Sequence, residues 1–322
     1  MKSCKRLRWG SWGPVLLLLL PAAMFLFPQT VISGAAKGLL LWYRTVLPVL
    51  LPFLILSQIL LESGLVRLLG TLLSPFLRPV FAIPEEAAFA VFGGFLCGYP
   101  VGAKLSFGLR DTGVITDAEA QYLLSFCNNA SPMFVVSYLF LQKLRRPDLA
   151  LPSLGILWGS TVLCSFLFRK RREEADRQKR NPRQGEQGIH MTFQILDDAI
   201  GGGCETMIHI GGYIVTFSVL MALLERLPAG GAYTGALWKL LFLPSLEITG
   251  GVELLTEAAV PFGVRYVLIM ALTAFGGFCA AFQTRCVAGR DVFSMARYIK
   301  EKLITAVVTS LFAYLWIKLY YR

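Results

Sequence analysis

The amino-acid sequence predicts an all-α protein: a polytopic helical membrane protein built as two repeated halves with re-entrant or broken helices. Three observations carry that class. Of the 322 residues, 55% are apolar and only 16% charged, against about a quarter charged in soluble domains, and the mean hydropathy is +0.60. Charge is missing from seven windows, Trp9–Ala36, Thr45–Leu61, Ala87–Ala103, Ala120–Gln142, Leu149–Phe168, Thr206–Leu224 and Tyr266–Thr284, which approach or exceed the ~20 residues needed to cross a ~30 Å hydrocarbon core. Four interruptions of the apolar runs by Gly, Asn or Pro also fall into two pairs at a common spacing of 149 residues. The same composition excludes a disordered, collagen-like or disulfide-stapled chain.

From the amino terminus, Lys2, Lys5, Arg6 and Arg8 precede an apolar segment at 13–33, expected to be a retained first helix bent at Pro21 or Pro28. A cleaved signal peptide is the alternative, but the charge-free run outlasts the usual ~7–15 residue apolar core and more spans follow. Further spans are expected near 39–61, 87–109, 121–141 and 150–168. Gly64 to Val80 differs: Leu65, Leu68, Leu69, Leu72 and Leu73 recur at helical spacing while Arg67 and Arg78 interrupt, the pattern of an interfacial amphipathic helix or a short tilted span. Eight bases lie within Arg169–Arg183, opposed by Glu173, Glu174 and Asp176, before spans resume near 206–224, 235–249, 264–286 and 303–320. The chain therefore divides into a basic N-terminal segment with the first helix (1–38), a first half (39–168), a basic linker (169–195) and a second half (196–322).

The net charge of +11 is concentrated in those two basic stretches, which is the positive-inside pattern and places the N-terminus and the linker in the cytoplasm. Nucleic acid is not an expected partner, because no aromatic residue is interleaved with the basic run and its neighbours are apolar spans. Two cytoplasmic ends require an even number of crossings between them, yet five apolar segments intervene. One segment must re-enter, or the Gly64–Val80 segment must cross. A re-entrant backbone survives only where it is buried in protein or lines a watery cavity, because unsatisfied amides in lipid cost several kcal/mol each. The count thus points to a cavity.

Four motifs mark where that cavity is expected. In Gly93-Gly94-Phe95-Leu96-Cys97-Gly98-Tyr99-Pro100-Val101-Gly102-Ala103-Lys104, glycine permits unusual backbone angles and Pro100 removes a donor; GxxxG helix packing through Gly94, Gly98 and Gly102 is the alternative. Asn128-Asn129-Ala130-Ser131-Pro132 lies in a charge-free run where carboxamides must find partners, and Pro132 frees a carbonyl one turn earlier. At the 149-residue offset, Gly102 falls opposite Gly251, Leu105 opposite Leu254, and Phe126 opposite Phe275. Glu247-Ile248-Thr249-Gly250-Gly251 and Gln283-Thr284-Arg285 are the polar points of the second half, with Glu247 either at a water interface or a buried carboxylate. Secondary transporters place substrate at such paired broken helices. The candidate substrate-binding set is therefore Gly98, Tyr99, Pro100, Gly102, Lys104, Asn128, Asn129, Ser131, Glu247, Thr249, Gly250, Gln283 and Arg285.

Neither a metal nor another cofactor is expected. Only His190 and His209 are imidazoles, the seven cysteines form no CxxC, and no HExxH or EF-hand loop is present; His209 is expected to pack or bond within the bundle. No Ser/His/Asp arrangement, Walker loop or GxGxxG emerges, so an enzyme is not expected.

These residues also carry a family resemblance. Gly94-Phe95-Leu96-Cys97-Gly98-Tyr99-Pro100-Val101-Gly102-Ala103-Lys104, Ile115-Thr116 with Glu119-Ala120, and Phe126-Cys127-Asn128-Asn129-Ala130-Ser131-Pro132 resemble the sporulation integral membrane proteins of the YlbJ (stage V sporulation) type, in the nucleoside-recognition or Gate-domain group. So do Ile210-Gly211-Gly212-Tyr213-Ile214-Val215 with Phe217-Ser218, Leu246-Glu247-Ile248-Thr249-Gly250, and Phe275-Gly276-Gly277-Phe278 with Gln283. The likeness covers about 39–320; the long basic linker and Cys279-Ala280-Ala281-Phe282 depart from it. The group looks like the core of concentrative nucleoside transporters with paired helical hairpins. The resemblance implies a role in endospore formation, with dipicolinic acid carried across the outer forespore membrane.

The expected function is a transporter or export channel for a small anion, with the lipid bilayer as its other partner. Lys104 and Arg285 are the expected counter-charges for a dianion, Lys104 the stronger. The alternatives are a nucleoside or cation permease, or a membrane scaffold in spore-envelope assembly that docks through the linker. A homo-oligomer or contact with other sporulation membrane proteins is an open expectation.

Overall fold

The computed structural model describes residues 21–176, 192–227, 237–288 and 293–320. The start of the first apolar segment, His190 and most of the basic linker lie outside the described residues. The described chain is helical, with no strand among the described residues, and five helices are long and apolar enough to cross a membrane. This is a multi-pass helical membrane protein.

Helix α1 spans Pro28–Glu62 and widens into a π turn at Trp42–Val46. The cause is local: Pro48 has no N–H to give the Arg44 carbonyl, so the turn before it slips to a wider pattern. Helix α2 (Leu65–Phe81) begins at Gly64 (φ 76). It turns Leu68, Leu72 and Phe76 outward, 61%, 68% and 77% exposed, so its outer stripe is apolar and suits contact with lipid tails.

The expected span 87–109 is not a single helix. It divides into α3 (Ala87–Cys97) and α4 (Val101–Asp111) around Gly98-Tyr99-Pro100, and the two arms pack against each other as a hairpin. Eleven residues each give arms of roughly 16 Å, half a hydrocarbon core, so neither arm crosses. The expected separation of spans 13–33 and 39–61 is also absent from the described residues, where Pro28–Glu62 runs as one helix. Helix α5 (Asp117–Cys127) starts with a capping box, Glu119 N–H to Thr116 Oγ1 at 3.2 Å and Thr116 N–H to Glu119 Oε2 at 2.9 Å. It stops at Asn128 and resumes as α6, a π-helical stretch over Phe134–Lys143. Helix α7 (Ala150–Asp176) follows, part of a stretch, Pro147–Arg169, long and apolar enough to cross.

After the linker, α8 (Phe193–Glu225) packs along α1, where Trp42 Nε1 donates to the Met207 carbonyl at 3.0 Å. The expected span 235–249 is likewise interrupted. Helix α9, a π turn at Trp238–Phe242 running into Leu243–Leu246, ends at the extended residue Glu247, and α10 (Ile248–Glu257) turns back against it. Helix α11 (Phe262–Phe275) breaks at Gly276 (φ 85) before α12 (Gly277–Ala288). Helix α13 (Met295–Tyr320) closes the described chain against α11 and α7.

Candidate functional site

The first hairpin tip is built on the first break. Gly98 has φ +79, and a Cβ there would lie 2.7 Å from the Ser131 nitrogen and 2.8 Å from the Asn129 carbonyl oxygen. The Tyr99 N–H donates to that carbonyl at 2.8 Å. Gly94 and Gly102 press from the two arms onto the end of α5: a Cβ at either would fall 2.3 or 2.5 Å from the Cys127 carbonyl oxygen. The breaker and the packing readings of this glycine run are both realised, at different positions.

Asn128 is fully buried. Its Nδ2 donates to Thr284 Oγ1 on α12 and to Tyr298 Oη on α13, each at 2.8 Å, so the first break is tied to the second half of the chain. Lys302 on α13 donates to the Asn128 carbonyl and, at 2.8 Å, to Asn129 Oδ1. Ser131 Oγ accepts the Phe134 N–H at 3.2 Å and caps the resumed helix.

At the second tip, Glu247 is buried, 4% exposed, and works as the N-cap of α10. Its two carboxylate oxygens accept the N–H groups of Thr249 at 3.0 Å and Gly250 at 2.7 Å. Tyr138 on α6 donates to the Thr249 carbonyl at 3.3 Å. The Tyr99 ring reaches across to the second break, where a Cβ on Gly276 would stand 3.1 Å from it. Between the tips and the breaks lies a cavity of about 310 Å³. Tyr99, Ala130 and Ser131 line it from the first tip and break, Ser137 and Tyr138 from α6, Glu247 and Thr249 from the second tip, Cys279 and Gln283 from α12, and Arg44 from α1.

Residues 43–142 match the Gate family, described as nucleoside recognition, a range that holds the first hairpin and the first break. A relative is the sporulation integral membrane protein YlbJ of Bacillus subtilis (strain 168), 29% identical over 341 aligned positions covering 94% of this chain and 82% of that protein. The chain is a YlbJ homologue with a Gate region. No solved structure matches it.

Of the residues expected from sequence, Tyr99, Ser131, Glu247, Thr249 and Gln283 line the cavity of this YlbJ homologue. Gly98, Pro100, Gly102 and Gly250 shape the two tips, and Asn128 and Asn129 fix the first break through Thr284, Tyr298 and Lys302. Lys104 and Arg285 are not among the lining residues; Lys104 instead donates to Thr206 on α8 at 3.1 Å. His209 does not pack in the bundle: it is exposed, 3.9 Å from Glu205 one turn earlier. Sequence reasoning missed Arg44, which the π turn before Pro48 brings to the cavity. It also missed Lys302, whose setting Arg297-Tyr298-Ile299-Lys300-Glu301-Lys302 reads as an ordinary charged helix start.

Proposed function

We propose that this protein is a membrane transporter or export channel for a small anionic metabolite during endospore formation, with dipicolinic acid the substrate that the family resemblance implies. The observation that carries the reading is the cavity between two hairpin tips and two helix breaks. Its 310 Å³ is at the small end of ligand pockets, suited to one aromatic ring with two carboxylates. Helices α6 and α12 open on it by their first turns, through Phe134 and through Cys279 and Ala280. Helix starts carry partial positive charge, about half a unit each. Glu247 already occupies the start of α10, and α3 ends there at Cys97. Among the described residues, Arg44 lines the cavity with no carboxylate partner.

The reading includes an internal repeat, supported by helix ends at Cys97 and Leu246, 149 positions apart, and at Cys127 and Phe275, 148 apart. It also keeps the N-terminus and linker in the cytoplasm and the protein in the outer forespore membrane. A nucleoside permease is the second reading, favoured by the description of the Gate family. Purified protein in liposomes separates the two. Saturable uptake of labelled dipicolinate is expected; saturable uridine uptake with no dipicolinate uptake would sink the anion reading.

The cation at the cavity predicts which charge matters. Arg44→Gln is expected to lower sub-saturating dipicolinate uptake about fivefold, the equivalent of ~1 kcal/mol for a solvent-reached pair. Lys104→Gln, at a residue that does not line the cavity and is bonded to Thr206, should stay close to wild type at equal membrane abundance. The reverse ranking would route the anion along α4 and Thr206 instead.

A further inference from the structure

We propose that the Lys302 ammonium is a tethered cation that fills the first helix break, so that this break takes no metal cation from solution. In a continuous helix the Asn128 carbonyl would accept the N–H of the residue four positions on, which is Pro132 and has none. The carbonyl is therefore orphaned at the end of α5, where the helix also concentrates partial negative charge. In apolar surroundings such a carbonyl must be satisfied, and unwound carbonyls at broken membrane helices are what coordinate coupling cations in secondary transporters.

Here the partner comes from the chain. Lys302 is 1% exposed, and its Nζ meets two oxygens, the Asn128 carbonyl and Asn129 Oδ1. Its Nζ also lies 5.8 Å from the centre of the Tyr298 ring, a position that favours positive charge. Among the described residues no carboxylate forms an ion pair with it. The adjacent Glu301 is held by Arg297 at 2.8 Å, and Arg297 also donates to Gln121 Oε1 at 2.8 Å. Backbone carbonyl, amide oxygen and aromatic face are the ligand chemistry of a monovalent cation site rather than of a salt bridge. Lys302 is thus a positioning residue: it holds Asn128 and Asn129, and through the Asn129 carbonyl it holds the Tyr99 N–H and the hairpin tip.

The inference rests on the transport reading only for one consequence, flux that needs no sodium. The role itself is tested by the melting temperature of the full-length protein in detergent, with sodium, potassium, methylammonium or choline chloride at equal concentration. Wild type is expected to melt alike in all four. Lys302→Ala should lose about 5 °C or more in choline, and the three small cations should return roughly a third of the loss by binding the folded form. Lys302→Met, which fills the space without charge, should also melt lower and gain nothing from them. The proposal is overturned if sodium or potassium raises the wild-type melting temperature above that in choline, or if Lys302→Ala responds to small cations no more than Lys302→Met does. Should Lys302→Ala yield too little protein, the wild-type arm decides alone. Absence of flux in every medium bears on the transport reading and leaves these melting arms to judge the cation.

Discussion

Gly94→Ala and Gly102→Ala are each expected to lower the melting temperature of the purified protein, whereas Gly155→Ala and Gly159→Ala should raise it slightly. All four lie inside helices, where alanine gains ~0.5–1 kcal/mol over glycine. What differs is the space. A methyl at Gly155 or Gly159 meets nothing within 4 Å, while at Gly94 and Gly102 it would lie 2.3 and 2.5 Å from the Cys127 carbonyl oxygen. That oxygen belongs to backbone and cannot rotate away, so the hairpin arm must move. Overpacking of this kind costs about 1–3 kcal/mol, enough to overcome the helix gain. Lifting either arm also strains the bond from the Tyr99 N–H to the Asn129 carbonyl, so cavity-dependent uptake should fall with the melting temperature. A Gly102→Ala protein that melts like wild type would mean that the hairpin does not seat on the end of α5.

These glycines show how far the sequence could be read. Gly94, Gly98 and Gly102 share one spacing, and spacing alone left breaking and packing as alternatives for the whole run. The structure assigns them by position: Gly98 takes the positive φ, and its neighbours one turn away on each side take the close approach. The Asn128–Pro132 break was legible because proline's missing donor has a fixed consequence four residues earlier. The group that satisfies the freed carbonyl was not legible. Lys302 lies 174 positions from Asn128, and nothing in its local pattern distinguishes it from Arg297 and Lys300 beside it. The absence of Lys104 from the cavity lining has a related reason. Lys104 follows the breaker directly in sequence, but the first turn of α4 directs it to Thr206 on α8. Arg44, which does line the cavity, sits within the π turn ahead of Pro48, far in sequence from the motifs that mark the site.

Glu247 carries the other large effect, and three variants divide its work. The carboxylate takes the first free N–H groups of α10, Thr249 and Gly250, inside a buried site. Glu247→Ala removes both acceptors; loss of an N-cap costs about 1–2 kcal/mol, and each donor left buried and unpaired adds about 1–3 kcal/mol. A drop in melting temperature of about 5 °C or more is expected. Glu247→Ser and Glu247→Asp keep a capping oxygen and should recover most of that loss. Serine also removes a negative charge from the cavity wall, where a dianion would meet it. Initial rates of dipicolinate uptake, measured in liposomes at equal protein loading, should therefore fall with Ala and hold or rise with Ser. A serine variant that melts as low as the alanine variant would show that capping is not what the carboxylate contributes. A serine variant that melts like wild type but carries no dipicolinate would give the carboxylate a part in transport itself, as a proton carrier or cation ligand, and would move the substrate class from an anion alone to an anion moved with a positive partner.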